Sequence, residues 1–163
     1  DLALYVSHLP LDGHASLGNA AGLADHLGLE AGAAFGQLGP VTIGRRGRAV
    51  DAYTVAGLRD ALADLDADDR APRVLDFGPE EIREIAIVTG SGADWLGEAA
   101  DAGVDALVTG EGKQQVYHEA REAGLNVFLA GHYATETFGV ERLAGLVSEW
   151  GIDTEILSHP TGL

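Results

Sequence analysis

The 163-residue sequence contains no cysteine. Disulfide bonds, zinc sites built from thiolates and cysteine nucleophiles are therefore excluded. Any bound metal ion would have to be held by His, Asp and Glu side chains together with water. Methionine is also absent, and the sequence opens at Asp1. Either an initiator methionine has been removed, or a further N-terminal segment precedes this sequence.

Lysine is almost absent as well. Lys113 is the only lysine beside nine arginines, against 26 acidic residues, and the formal net charge is −16. Such a surface repels phosphate backbones, so we expect no nucleic-acid partner. An acidic, lysine-poor composition is typical of proteins from a high-salt cytoplasm. The alternative is an ordinary acidic protein with GC-rich codon usage, because Ala, Gly, Asp and Arg are all abundant.

Long apolar runs are lacking too. None approaches the roughly 20 residues that a membrane-spanning helix needs. The residues after Asp1 show no basic segment followed by an apolar core, as a signal peptide would. We therefore expect no membrane partner and a cytoplasmic location. The hydrophobic fraction of 46% nevertheless predicts a folded core rather than disorder.

The second half of the sequence alternates regularly between strand-like and helix-like segments. Such an alternation predicts an α/β fold with a largely parallel sheet. The predicted strands are Arg73–Phe77, Glu84–Val88, Asp105–Val108, Asn126–Ala130 and Asp153–Leu157, and the predicted helices are 93–102, 113–123 and 133–150.

The first half is less regular. The pattern predicts strands over Leu2–Ser7, Val41–Gly44 and Ala49–Tyr53, with an Arg-rich turn at Arg45–Arg48 between the last two. It also predicts helices over 15–28 and 55–65, and a small-residue connection over Gly32–Pro40. The polar run Asp64–Arg70 predicts a solvated loop and a boundary between two lobes. This boundary divides the sequence into residues 1–68 and a second, βαβ-rich segment, residues 69–163.

His132 and Glu136 lie in the segment Gly-His-Tyr-Ala-Thr-Glu, which directly follows a predicted strand. Ligands of open α/β sheets gather at the carboxyl ends of strands. A spacing of four residues places both side chains on one face of a helix. An imidazole and a carboxylate so placed can bind one metal ion or bridge two. The alternative is a His–Glu pair on a helix surface.

His8 and Asp12 repeat this arrangement. They too are four residues apart and follow a predicted strand. Two such pairs indicate a metal site more strongly than either alone. The alternative is that His8 caps the strand and Asp12 begins the next helix.

Two glycine turns carry further candidates. Val88-Thr89-Gly90-Ser91-Gly92 lies between a strand and a helix, so it can cradle an anion on backbone N–H groups or simply form a tight turn. The segment 108–113 lacks the Ser or Thr that a phosphate-binding loop requires after its Lys, because Gln114 occupies that position. Glu111 follows this turn, and His118 lies seven residues later, either facing the same cleft or exposed on a helix.

These motifs, in this order, resemble the family of dinuclear metal centre hexameric proteins, also described as GTP cyclohydrolase type-two homologues. The resemblance covers essentially the whole sequence. It rests on the segments 5–12, 89–92, 108–111 and 131–136, and on the ending His-Pro-Thr-Gly-Leu at 159–163. It implies two similar α/β lobes, a ring-shaped homo-hexamer and an N-terminally incomplete family domain over residues 1–163.

The resemblance also implies roles for individual residues. Asp12, His132 and Glu136 would bind two divalent ions, with Glu136 bridging them; zinc, iron, manganese, cobalt and nickel all suit such ligands. His8 matches a pocket histidine that would contact the substrate or the metal ligands, and Glu111 matches a pocket acid. As catalytic residues, His8 or Glu111 could move protons during hydrolysis. The family's remaining ligands are two adjacent histidines ahead of the first motif. No such pair occurs in this sequence, so we expect them in a preceding segment.

Three functions are compatible with these observations. The first is metal-dependent hydrolysis of a small molecule, which the family description suggests is a nucleotide such as GTP. The second is a metal chaperone or carrier without hydrolytic activity. The third is a structural α/β module, in which replacement of Asp12 or His132 leaves the metal content unchanged.

Overall fold

The computed structural model describes residues 2–30, 32–65 and 71–161. Its helices and strands, numbered along the chain, are α1 Leu9–Asp12, α2 Asn19–His26, β1 Ala33–Leu38, β2 Val41–Thr54, α3 Val55–Ala63, β3 Arg73–Leu75, β4 Glu81–Val88, α4 Leu96–Asp101, β5 Ala106–Thr109, α5 Val116–Ala123, β6 Asn126–Leu129, α6 His132–Thr135 and α7 Phe138–Glu149. A 3₁₀ turn, Gly92–Trp95, precedes α4.

A single six-stranded sheet organises the described residues, in the order β1-β2-β4-β5-β6-β3. The central strands β4, β5 and β6 are parallel. The outer pairs β1–β2, β2–β4 and β3–β6 are antiparallel. The predicted α/β class is thus confirmed. In detail the sheet is mixed and continuous across both halves of the sequence, because β2 pairs directly with β4.

The central strands are buried on both faces. On β4, Ile85 and Ile87 join one core cluster, whereas Ala86 and Val88 join the other. Successive strand residues point to opposite faces, so an uninterrupted apolar run is what a strand covered on both sides requires. Helices α2 and α3 pack on the first face, and α4 and α5 pack on the second.

The close packing of α2 against α7 positions the first motif near the last one. Gly22 of α2 faces Phe138 at the start of α7, and a Cβ atom at this glycine would collide with the phenylalanine side chain. Arg142 of α7 strengthens the contact by donating hydrogen bonds to the Ser16 carbonyl, at 2.6 Å, and to Asp25, at 2.7 Å.

Two predicted strands are wrong. Residues 2–7 and 153–157 form no strand, and the side chains of Leu2, Leu4 and Leu157 are 100%, 89% and 69% exposed. A strand needs a neighbour for its backbone hydrogen bonds, and within the described part of the chain no other segment pairs with either stretch. Their apolar residues satisfied the sequence pattern, but the pattern carries no information about a pairing partner.

The connection predicted over Gly32–Pro40 is also wrong, because it contains β1. This strand pairs with β2 through a hairpin closed by Leu38 and Val41. Gly39, between them, has φ +57°, a conformation that glycine supplies in tight hairpin turns. The two strands predicted within residues 41–53 form one strand, β2, with a register shift between Arg48 and Tyr53.

The remaining predicted elements are present, with shifted ends. The helix predicted over 133–150 is divided into α6 and α7, and that over 15–28 is shortened to α2. The proposed boundary between residues 68 and 69, and most of the polar run Asp64–Arg70, lie outside the described residues. None of the helices in the described part of the chain is long and apolar enough to cross a membrane.

Candidate metal centre

The carboxyl ends of β4, β5 and β6 meet at one edge of the sheet, and each is followed by a glycine. The N–H of Gly110 donates to the Gly90 carbonyl, and the N–H of Gly131 donates to the Gly110 carbonyl, both at 2.9 Å. A Cβ atom at Gly110 would lie 2.7 Å from the Gly90 carbonyl oxygen and 2.7 Å from Cα of His132. Glycine therefore allows the three loops to pack together.

Two buried threonines hold these loops in place. Thr109 accepts a hydrogen bond from the Gly92 N–H at 2.8 Å, and Thr135 accepts one from the Gly90 N–H at 3.1 Å. Both threonine side chains are fully buried. The turn at 88–92 thus has its backbone N–H groups at Gly90 and Gly92 bonded within the protein, which favours the tight-turn interpretation over an anion cradle.

His132 and Glu136 lie side by side at this edge. Nε2 of His132 is 3.3 Å from Oε2 of Glu136, and the side chains are 40% and 27% exposed. Gly90, with φ +61°, lies beneath both: a Cβ atom there would collide with the Glu136 carboxylate and come within 2.9 Å of Nε2 of His132. The four-residue spacing predicted that the side chains of His132 and Glu136 lie close together, and the structure confirms this.

The first motif, which contains His8 and Asp12, lies beside this pair. His8 precedes the single-turn helix α1, and its Nε2 is 3.6 Å from Oδ2 of Asp12. His8, Asp12, His132 and Glu136 all line one pocket of about 220 Å³. The structure therefore brings both histidine–carboxylate pairs together, although they come from opposite ends of the chain.

The pocket disfavours the ionised form of the Glu136 carboxyl. Burial raises the pKa of Glu136, and the nearby carboxylate of Asp12 raises it further, whereas His132 and His8 act in the opposite direction. No Lys or Arg is among the residues that line this pocket in the described structure.

Glu111 contacts His132 from the side away from Glu136. Its Oε1 is 3.0 Å from Nδ1 of His132 and accepts a 2.5 Å hydrogen bond from the Ser91 hydroxyl. The Ser91 hydrogen bond, followed by the His132 hydrogen bond, lowers the pKa of Glu111. His118, by contrast, is exposed on α5 with its ring against Tyr117, so it does not face the pocket.

Sequence reasoning missed four residues that organise this site: Asn19, Ser91, Thr109 and Thr135. Asn19 donates to Oδ1 of Asp12 at 2.7 Å and accepts from the Gly139 N–H at 2.6 Å. An asparagine directly before the apolar run of α2 was the only local signal. The two threonines each end a buried segment, where a hydroxyl must bond to the backbone.

The donor atoms suit a divalent ion, although they form no complete binding group. Within residues 2–30, 32–65 and 71–161, no three His, Asp or Glu side chains are arranged to hold an ion. One imidazole and two carboxylates around a partly buried pocket nevertheless match the chemistry of zinc, iron, manganese, cobalt or nickel.

A mixed α/β sheet whose strand ends carry one histidine–carboxylate pair, with a second pair lining the same pocket, defines a candidate metal-binding protein. The chain belongs to the Duf34/NIF3 (NGG1p interacting factor 3) family, whose model matches residues 1–161. The resemblance drawn from the sequence motifs is therefore confirmed.

Relatives in this family match the chain over nearly its whole length. It is 56% identical to a GTP cyclohydrolase 1 type 2 homolog of Halobacterium salinarum and 40% identical to one of Archaeoglobus fulgidus, in both cases over 100% of this chain. It covers 65% and 64% of those relatives. The solved structure of TTHA1606 from Thermus thermophilus is 38% identical, with a TM-score of 0.84, covering 98% of this chain and 62% of that one.

Proposed function

We propose that this chain binds a divalent metal ion through Asp12, His132 and Glu136 and uses it for hydrolysis. The observation that supports the proposal is the convergence of two carboxylates and an imidazole from opposite ends of the chain on one pocket. The raised pKa of Glu136 fits this role, because a cation would offset the burial of its carboxylate and, to a smaller extent, the repulsion from Asp12.

Asp12, His132 and Glu136 would hold the ion, which would supply a water of lowered pKa as the nucleophile near neutral pH. His8 is the residue best placed to move a proton. Its ring is 74% exposed at the pocket rim, and its Nε2 lies close to Oδ2 of Asp12, which can orient it. Leu9, Ile43 and Trp95 supply apolar lining that can contact the non-reacting part of a substrate.

The names of the relatives suggest GTP or a related nucleotide as the substrate. A pocket without Lys or Arg lacks a clamp for a triphosphate, so any such substrate would need basic residues from elsewhere. A second ion, and the homo-hexamer implied by the family resemblance, remain proposals as well. The chain spans less than two thirds of these relatives, and it contains no adjacent histidine pair.

The first experiment is elemental analysis of metal per chain after incubation with zinc, iron and manganese salts. The variants are His132→Ala and, as a matched control, His118→Ala, which removes an exposed histidine outside the pocket. We expect at least one ion per chain in the parent and the control, and loss of that ion in His132→Ala. Equal metal content in all three proteins would refute the assignment of the site.

A metal carrier is the second candidate, because the lining residues that the structure describes include no Lys or Arg to bind a charged substrate. Metal-loaded protein would be tested for turnover of nucleotides and esters, and separately for transfer of its ion to a chelating acceptor. Turnover that is lost in His8→Ala supports hydrolysis. Rapid transfer of the ion without turnover supports the carrier.

A further inference from the structure

The orientation of the His132 ring is fixed by different partners at its two nitrogens. Nδ1 lies 3.0 Å from Oε1 of Glu111. Nε2 lies 3.3 Å from Oε2 of Glu136, next to Gly90 and inside the pocket. An ionised carboxylate can only accept hydrogen bonds. Both contacts are with carboxylates, so each favours a proton on its own nitrogen. The shorter contact, with Glu111, favours a proton on Nδ1, and in the neutral ring this leaves the lone pair on Nε2.

Glu111 is itself held independently of His132. The Ser91 hydroxyl donates to the same oxygen, Oε1, at 2.5 Å. The backbone fixes the distance between these two residues, because the N–H of Glu111 donates to the carbonyl of Gly90, the neighbour of Ser91, at 3.0 Å. The carboxylate thus has a defined position before His132 contacts it.

Glu111 is also separated from the pocket itself. It is not among the pocket-lining residues, whereas Ser91, His132 and Glu136 are. Its Oε1 already accepts one hydrogen bond from Ser91 and faces the histidine Nδ1. These contacts favour an orienting role for Glu111 over the catalytic role expected from the sequence.

We propose that Glu111, held by Ser91, is a positioning residue that sets the tautomer of His132 and so selects Nε2 as the metal-binding nitrogen. Carboxylates that accept from the far nitrogen of a metal-bound histidine fix its ring and increase its basicity. The metal-binding part of this inference rests on the proposed function. The tautomer can be measured without any metal.

The test uses protein labelled with ¹⁵N-histidine, metal-free, at a pH where the nitrogen shifts show a neutral His132 ring. We expect a protonated Nδ1 and an unprotonated Nε2 in the parent chain. Glu111→Leu removes the acceptor and should shift the proton towards Nε2, the nitrogen that carries it in most free imidazole side chains. Ser91→Ala should give a smaller shift in the same direction.

Two further variants show whether an effect on the His132 tautomer comes from the hydrogen-bond acceptor at position 111 or from the loss of a carboxylate charge. Glu111→Gln loses the charge but keeps an oxygen that can accept from Nδ1, so it should largely restore the parent tautomer. Asp94→Leu removes an exposed carboxylate, paired with Lys113 at 3.1 Å, and should leave the His132 nitrogen shifts unchanged. An unchanged tautomer in Glu111→Leu would overturn the proposal.

Zinc affinity, measured by calorimetry on the same proteins, provides a second readout. We expect Glu111→Leu to bind zinc about 10- to 100-fold more weakly, with Glu111→Gln much closer to the parent. Equal affinity in the parent and Glu111→Leu would overturn the selection of Nε2 while leaving the proposed function intact. If the parent binds none of zinc, iron and manganese, the proposed function fails, and the metal-free nitrogen shifts still decide the role of Glu111.

Discussion

The side-chain amide of Asn19 donates a 2.7 Å hydrogen bond to Oδ1 of Asp12. Its orientation is unambiguous, because the other end of the amide accepts from the Gly139 N–H, which can only donate. Asn19 is 5% exposed; its bond with Gly139 is buried and its bond with Asp12 is partly buried. The same side chain therefore joins α2 to α7 and leaves Oδ2 of Asp12 as the oxygen nearest His8.

Replacement of Asn19 by leucine should affect both stability and metal binding. The buried Gly139 N–H would lose its acceptor, at a cost of about 1–3 kcal/mol in the free energy of unfolding. Asp12 would also lose the group that orients it, and zinc affinity should fall by about 10-fold or more. Urea denaturation and calorimetry measure the two effects.

Asn126 provides the matched control. It is also buried, accepts from the Gly78 N–H and donates to the Pro79 carbonyl, both at 2.8 Å, far from the pocket. Asn126→Leu should destabilise the fold by a similar amount without changing the zinc affinity. Parallel losses of affinity in both variants would mean that Asn19 has no specific role in holding Asp12.

Gly90→Ala should abolish metal binding with little loss of secondary structure. The added Cβ atom would collide with the Glu136 carboxylate, and φ +61° is unfavourable for alanine by about 1–2 kcal/mol. Gly145→Ala is the control, since a Cβ atom on this α7 glycine meets nothing within 4 Å. The control should stabilise the protein by about 0.5–1 kcal/mol and bind zinc normally. Normal zinc binding by Gly90→Ala would contradict the geometry of the site.

Glu136→Gln should raise the melting temperature of the metal-free protein at neutral pH while abolishing its metal binding. Burial, followed by the charge of Asp12, raises the pKa of Glu136 above 4.5. The contribution of Glu136 to the free energy of unfolding is therefore complete below the pKa that its carboxyl has in the unfolded chain. It is lost as the pH rises through the higher pKa of the same carboxyl in the folded protein. The amide in the variant carries no charge at any of these pH values, so the stability difference should grow as the pH increases across this range.

The control for this prediction is Glu155→Gln, which neutralises an exposed carboxylate in the C-terminal segment. It should leave the melting temperature nearly unchanged at every pH. A melting temperature for Glu136→Gln that is equal to or below that of the parent at neutral pH would show that Glu136 is not under electrostatic strain.

Tyr53→Phe should destabilise the protein by about 0.5–1.5 kcal/mol, because the Tyr53 hydroxyl donates to the Leu27 carbonyl at 2.9 Å. Burial raises the pKa of this hydroxyl above 10.0. Its stabilisation is therefore present below the unfolded-state pKa and is lost as the pH rises through the folded-state pKa. Unfolding experiments between neutral and strongly alkaline pH would show a smaller alkaline loss in Tyr53→Phe. Tyr5→Phe, at an 88% exposed position, should match the parent.

The second half of the fold could be predicted well from the sequence, because its signals are local. Central strands buried on both faces require uninterrupted apolar runs, and α4 and α5 each end close to a glycine with positive φ, Gly103 and Gly124. The first half depends on pairing between strands. The apolar residues at 2–7 resemble a strand as closely as those of β6 do, and only the presence of a partner separates the two cases.

The candidate site, too, could be predicted from the sequence only in part. The pairs His132–Glu136 and His8–Asp12 follow from a spacing of four residues, so the sequence alone indicates them. The contact of Ser91 with Glu111 depends on β4 and β5 being neighbours in the sheet. The bonds of Asn19 depend on how α2 packs against α7, which no local pattern encodes.

Asn19 and Gly139 are 120 positions apart in the sequence. During synthesis on the ribosome, Asp12 emerges long before the histidine and glutamate that face it, so an early nascent chain cannot capture an ion with this set of ligands. Closing so long a loop is a late and slow event in folding. An ion held there would bind only the finished fold and would oppose its global unfolding by mass action. Depletion of the metal during expression should therefore leave a chain that folds normally but is degraded faster by proteases.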